Sequence, residues 1–381
     1  MNPTVSSPQN ISAVGAARLG APGPDTASPG TTASAPRRQA PAWVRPPDAL
    51  SFRNIGALYV WLAIAVIFAI WAPATFPTWT TARQILDENA ATGLMALSVV
   101  IPLCTRTFDL SVGFIASLSA VTASYMIAHG IPVAAAVAIA MGGALLVGLI
   151  NAGVVVVMGV DSFIATLATG SLIQAFITLM TNDIAITSPR LAGPFANIGQ
   201  ASIGGITLPV IYTLLVALVI WFVLEHTATG RRLYATGFNP ESARLAGVRT
   251  ARLRFASLIV SALLAGAAGV VLASTLGSGD PQAGVPYLLS AYAAAFLGAS
   301  QLRPGRFNAW GTLIAVLLLG TGVVGLGLVS APNWAPAMFT GVVLIAALGI
   351  TGARRRALRS GGLGQRLQGP RGEAAGPSSR T

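Results

Sequence analysis

Residues 131–158 read IPVAAAVAIAMGGALLVGLINAGVVVVM, from Ile131 to Met158, without one charged side chain. A helix crosses the apolar core of a bilayer with about 20 such residues. This stretch therefore reads as a membrane span. Working outward, similar apolar stretches lie at about 55–72, 208–225, 253–274, 308–329 and 333–351. Four more, at about 90–105, 111–128, 162–180 and 286–301, carry more small and polar residues. Such residues let helices approach closely or line a cavity, and broken or re-entrant helices are tolerated where protein covers the backbone. The expected fold class is all-α: a polytopic transmembrane helical bundle of about ten spans.

Composition supports this reading. The chain is 54% hydrophobic and 9% charged, with a mean hydropathy of +0.72. Soluble domains carry about 25% charged residues. The basic residues are all arginine. With ten spans and a cytoplasmic N-terminus, only Arg83 and Arg190 fall outside; Arg106, Arg231, Arg232, Arg244, Arg249, Arg252, Arg254, Arg303, Arg306 and the arginines of both tails fall inside. That asymmetry is the positive-inside signature and places both termini in the cytoplasm. The net charge of +12 is thus explained by membrane topology, with anionic lipid as counter-charge and no nucleic-acid partner.

Residues 1–52 are rich in Pro, Ser, Thr, Ala and Gly and open on no apolar run. They read as a disordered cytoplasmic tail rather than a signal peptide. Residues 53–351 form the transmembrane domain, and 352–381 a basic, disordered cytoplasmic tail begun by Arg354-Arg355-Arg356. Cys104 is the single cysteine, which excludes an internal disulfide, and with two distant histidines no metal site or cofactor is expected. Without lysine there is no P-loop for nucleotide.

Two connections stand out. The outer one, about 181–207, contains Asp183 and Arg190 and ends in Ile203-Gly204-Gly205-Ile206, a turn between short extended pieces. The inner one, about 226–252, carries helix signals. Asn239 suits an N-cap, Pro240 the first helical position, Glu241 the positive N-terminus, and Gly247 the stop. Ala243, Leu245 and Ala246 form a small apolar set. A helix of about two turns is marginal alone, so it is expected to dock. Glu225 and His226 end a span beside Arg231 and Arg232, where a surface ion pair is expected.

Four stretches in this order resemble the permease subunit of ribose-type ABC sugar importers. They are Phe108–Gly113 (FDLSVG), Asn151–Gly153 with Ser162–Thr169 (NAG…SFIATLAT), Gly230–Val248 (GRRLYATGFNPESARLAGV), and Leu297–Ser300 with Pro304–Arg306 (LGAS…PGR). The resemblance spans about 53–350. The chain departs from the pattern at Arg106-Thr107-Phe108, Asp161, Arg303-Pro304 and Phe307-Asn308. The resemblance implies a permease that catalyses no covalent change. It implies a second permease copy, an ABC ATPase subunit inside, and an extracytoplasmic sugar-binding protein outside. The helix of Asn239, Pro240, Glu241, Ala243, Arg244, Leu245 and Gly247 becomes the coupling element to the ATPase.

Polar residues in or beside the spans are candidates for the translocation path: Asp109, Asn151, Thr166, Thr169, Ser171 and Gln174. Each also has a plainer reading, as interhelical glue or, for Asp109, as a helix cap paired with Arg106. Asp183, Arg190 and Asp280 are candidates for docking the binding protein through complementary charge. The rival readings are an amino-acid or nucleoside permease of a related ABC importer, and an ion-coupled secondary transporter. The second would need buried coupling acids near the midplane. Asp109 alone is arguable.

Overall fold

The computed structural model describes residues 52–303 and 305–346. The expected tails, apart from Phe52, lie outside the described residues, as do Pro304 and the end of the last expected span. Helices dominate. Those of the expected spans are α1 (Phe52–Trp71), α2 (Trp79–Cys104), α3 (Val112–Ala128) and α4 (Val133–Ala152), the last continued by a π-helical turn at Gly153–Val157. Next come α5 (Ser162–Thr181), the short α6 (Ala196–Gln200), α7 (Leu208–His226), α8 (Ala228–Phe238) and α9 (Pro240–Leu245). Then follow α10 (Thr250–Leu276), α11 (Tyr287–Gly298) and α12 (Ala309–Leu328), and finally α13 (Ala335–Ala346). Among the described residues six helices are long and apolar enough to cross a membrane, and four shorter apolar ones accompany them.

Helix α2 starts well before the expected residue 90. Thr78 caps it through the Thr81 N–H, and Arg83–Asp87 (3.4 Å) and Gln84–Glu88 (2.8 Å) staple its polar first turns. Charge therefore did not end the helix; it only ended the apolar run.

The core forms where α2, α3 and α10 meet, with α4, α11 and α12 packed around them. Small residues set the spacing. Gly269 of α10 seats directly on the Ala116 carbonyl of α3, so a Cβ there has no room. The Gly320, Gly322 and Gly325 positions of α12 receive Asn89, Phe339 and Phe68, so these glycines serve packing within the chain.

Irregular backbone precedes two of the shorter apolar helices. The turn Thr105–Ser111 precedes α3, and the segment 277–286 precedes α11. That second segment descends alongside α3, with Gly279 against Ser124 and Gly284 against Gly113. The Gly284 N–H donates to Ser117 Oγ at 2.9 Å. Neighbouring helices cover much of both segments, with Thr105, Thr107, Asp109, Ser111, Gly279, Pro281, Ala283 and Gly284 buried.

The two ends of the bundle differ in charge. At one end lie the start of α2, the loop after α3 and residues 183–207. Arg190 donates to the Ala128 carbonyl (3.1 Å), Ile186 bridges Gly279, and Thr207 donates to Asp87 (2.7 Å). The expected turn is a two-stranded ribbon, Ser202–Ile203 (β1) with Ile206–Thr207 (β2). It closes on Gly204 and Gly205 at φ +60° and +86°. The other end carries Arg106, α8, α9, the start of α10 and residues 299–303 and 305–308.

Candidate functional site

The arginine-rich end is built on α8, a helix the sequence did not announce. Its buried residues Gly230, Leu233, Tyr234 and Gly237 recur at helical spacing, while Arg231 and Arg232 stand on the exposed face. Gly237 lies on the Cys104 carbonyl and Gly230 on that of Leu224, so α8 sits against the ends of α2 and α7 with no room for side chains between.

Helix α9 hangs from α8 with both ends capped. Asn239 Oδ1 accepts the Ser242 N–H (3.0 Å). At the other end the Gly247 N–H donates to Arg244 (2.9 Å) and the Val248 N–H to Ala243 (3.0 Å). Gly247 at φ +82° makes this Schellman closure possible. Of the expected apolar set only Ala243 turns inward, at 6% exposure; Leu245 is 78% exposed and Ala246 is also at the surface. One turn and a half cannot bury three neighbours on one face. Glu241 and Arg244 pair at 2.6 Å on the exposed side. The Arg244 guanidinium holds the Glu241 carboxyl below its ordinary value. A depressed carboxyl keeps its ion pair at neutral pH and loses it only as pH falls through that lowered value.

The expected pairing of Glu225 with Arg231 or Arg232 does not form. Glu225, with a side chain 6% exposed, is paired with Arg303 instead. Arg231 and Arg232 point to the exposed side of α8, whereas Arg303 reaches Glu225 from the turn after α11. Three residues that depart from the family pattern, Arg303, Phe307 and Asn308, build this corner together with Arg306, which follows it. Arg306 lies 5.3 Å over the Tyr234 ring and 5.9 Å over Phe238. The Phe307 carbonyl accepts the Tyr234 hydroxyl at 2.7 Å, and Asn308 caps α12 through the Gly311 N–H at 2.7 Å. Asp161 does the same for α5, accepting the Phe163 N–H at 2.9 Å.

Asp109 occupies a buried polar node within the bundle. It is fully buried, and its Oδ1 accepts the Ser111 hydroxyl (2.6 Å) and N–H (3.2 Å). Asn151 of α4 donates to the same Ser111 hydroxyl at 2.8 Å. The turn's backbone N–H groups are met by side chains from other helices. Phe108 donates to Ser162 (3.0 Å), Asp109 to Tyr292 (2.9 Å) and Leu110 to Thr166 (2.9 Å). Arg106 is exposed at φ +56° and makes no ion pair with Asp109 among the described residues. Arg254 takes the neighbouring position, its Nε 3.3 Å from Thr107 Oγ1. The carboxylate is therefore a turn cap, not half of a salt bridge.

The node gathers three of the six path candidates: Asp109, Asn151 and Thr166. Thr169 and Ser171 turn back on their own helix, donating to Ala165 (3.0 Å) and Leu167 (3.2 Å). Gln174 lies apart, with both amide atoms buried and unpartnered. Sequence reasoning missed Ser111, Ser162 and Tyr292, since a serine or tyrosine in an apolar run gives no sign of which distant N–H it will meet. At the arginine-poor end Asp183 accepts Thr178 Oγ1 (2.8 Å), Arg190 holds α3, and Asp280 caps its own turn at the Gln282 N–H (2.8 Å). The Ile186–Gly279 bridge ties the loops that carry all three.

Residues 82–348 match the family model described as branched-chain amino acid transport system / permease component. The chain is also similar to the D-allose transport system permease protein of Escherichia coli (strain K12), 33% identical over 305 residues, 79% of this chain and 92% of that one. The chain belongs to this permease family. The permease is likewise similar to the ribose import permease protein of Bacillus subtilis (strain 168), 33% identical over 266 residues, 70% of this chain and 82% of that one. It is similar to the L-arabinose ABC transporter permease protein of Azospirillum brasilense, 30% identical over 306 residues, 78% of this chain and 88% of that one.

All four resembling stretches fall inside the matched range. The permease is a multi-pass inner-membrane subunit of an ATP-binding-cassette importer. It is a transport component and not an enzyme, and ATP hydrolysis belongs to a separate subunit. A short capped helix stands out from the arginine-rich end, and a hydrogen-bonded turn is locked deep in the bundle.

Proposed function

We propose that this permease forms the path for a monosaccharide or related small polar solute, delivered by an extracytoplasmic binding protein and moved as an attached ATPase works. The sugar assignment rests on relatives whose names specify allose, ribose and arabinose at 30–33% identity. The observation that carries the mechanism is α9: capped at both ends, seated through Ala243, with Leu245 and the Glu241–Arg244 pair facing out. Such an element transmits a rigid push from an ATPase to the bundle. The reading includes ten crossings, residues 53–351 as the permease domain, and both flanking segments on the arginine-rich, cytoplasmic side. Two permease copies share the path. Asp109, Asn151 and Thr166 hold it in shape, and Asp183, Arg190 and Asp280 stand where a binding protein would dock.

The experiment is purification of the tagged permease with its partners, followed by uptake in vesicles. Recovery of an ATPase and a sugar-binding protein, with ATP-dependent sugar uptake, supports the reading. Replacing Leu245 by Asp should abolish uptake while leaving the permease in the membrane. ATP-independent, ion-driven uptake would overturn it. A binding protein that holds amino acids would move the substrate class to the one in the family model's own description.

A further inference from the structure

Between α8, the turn after α9 and the first turn of α10 lies a cavity of about 410 Å³. Arg232, Arg249 and Arg252 line it, and no acidic residue does. Among the described residues none of the three arginines makes an ion pair. The nearest acid along the chain, Glu241, is engaged by Arg244. No side chain caps the N-terminus of α10, so the helix adds its own partial positive charge at this place. Three arginines with no acid among the lining residues favour an anion in the hollow.

The surroundings select the kind of anion. α10 is one of the six helices long and apolar enough to cross a membrane, and the cavity sits at its first turn. Above Arg252 the same face of α10 continues as exposed Ala256 and Val260, and Leu253 gives the cavity an apolar wall. Positive charge at the mouth and exposed apolar helix behind it match an amphiphile with an anionic head. Arginine is suited to phosphate oxygens because its planar fork donates two parallel hydrogen bonds. We propose that this cavity binds the phosphate diester of an anionic phospholipid headgroup. Gly247 and Val248, which close α9, form the opposite wall. The bound headgroup therefore braces the helix that faces the ATPase.

The test uses the full-length permease in detergent, with bound lipid counted by native mass spectrometry. Phosphatidylglycerol, phosphatidylcholine and inorganic phosphate are added separately. The wild type should retain phosphatidylglycerol over phosphatidylcholine. Arg249→Gln and Arg252→Gln should each weaken that retention about tenfold, the worth of one charge-assisted hydrogen bond to phosphate. Arg231→Gln removes the same charge next to Arg232 but outside the cavity, and should change nothing. These arginines are exposed, and a symmetric gel-filtration peak confirms that each variant folds. Equal loss in Arg231→Gln would reduce the effect to bulk charge and overturn the site. Full displacement of the lipid by millimolar inorganic phosphate would assign the cavity to a free anion. Unchanged lipid retention with lost ATPase capture would give it to the protein partner. Either result would also overturn the lipid assignment.

Discussion

Thr166 shows how much can hang on one hydroxyl. It accepts the Leu110 N–H at 2.9 Å and donates to the Ser162 carbonyl at 2.7 Å, at zero exposure. Thr166→Val keeps the shape and strands the partly buried Leu110 N–H. The expected cost is about 1–3 kcal/mol, read as a lower Tm in detergent, with Thr166→Ser near wild type. The Glu225–Arg303 pair behaves differently. Arg303→Gln leaves the Glu225 carboxylate buried and alone, so it should destabilise more than Glu225→Gln does. The double variant should recover part of the loss, because removing both charges removes the desolvation penalty. Thermal melts of the three variants check this. Thr166 was legible as a candidate from its place in an apolar run. Its partner was not, since Leu110 is separated from it by 56 residues. The pairing of Glu225 with Arg303, instead of the neighbouring Arg231 or Arg232, was hidden for the same reason.

At the scale of elements, α9 was legible and α8 was not. Caps are local: Asn239, Pro240 and Gly247 carry their message within a few residues. Helix α8 has Gly230, Thr236 and Gly237 on its buried side, which argues against a helix by propensity. Contact with the ends of α2 and α7 overrides that preference, and the glycines are what permit the contact. Gly237→Ala places a Cβ on the Cys104 carbonyl and must push α8 outward. The expected result is a permease that reaches the membrane but whose uptake falls at least tenfold, while ATPase binding, which we propose runs through α9, survives. Loss of both together would mean that α8 is needed for the whole fold and not for transmission alone. The start of α2 follows the same logic in reverse. Its polar turns are helical because of a cap and two staples, which a search for apolar runs overlooks.

For the molecule as a whole, the arginine asymmetry predicts sidedness. Cys104 is buried at 4% exposure, so a Cys104→Ser background is clean for labelling. Thr187→Cys and Ser242→Cys, both at exposed positions, should react with an impermeant maleimide from opposite faces of the membrane, Thr187 from outside. Labelling of both from one face would refute the ten-span topology and the positive-inside orientation together.

Length and apolarity of the segments, the uneven spread of arginine along the chain, and the caps of α9 were determined by the sequence alone. Each depends on residues close together in the chain or on the solvent that surrounds them. Which hydroxyl meets which buried N–H, which arginine finds Glu225, and where three arginines face one hollow were decided only by tertiary structure. In a bilayer the apolar surface of a helix does not choose its neighbour, because lipid is as apolar as protein. The choice falls to close contacts at glycine and to single hydrogen bonds between distant segments, and those exist only once the helices have packed.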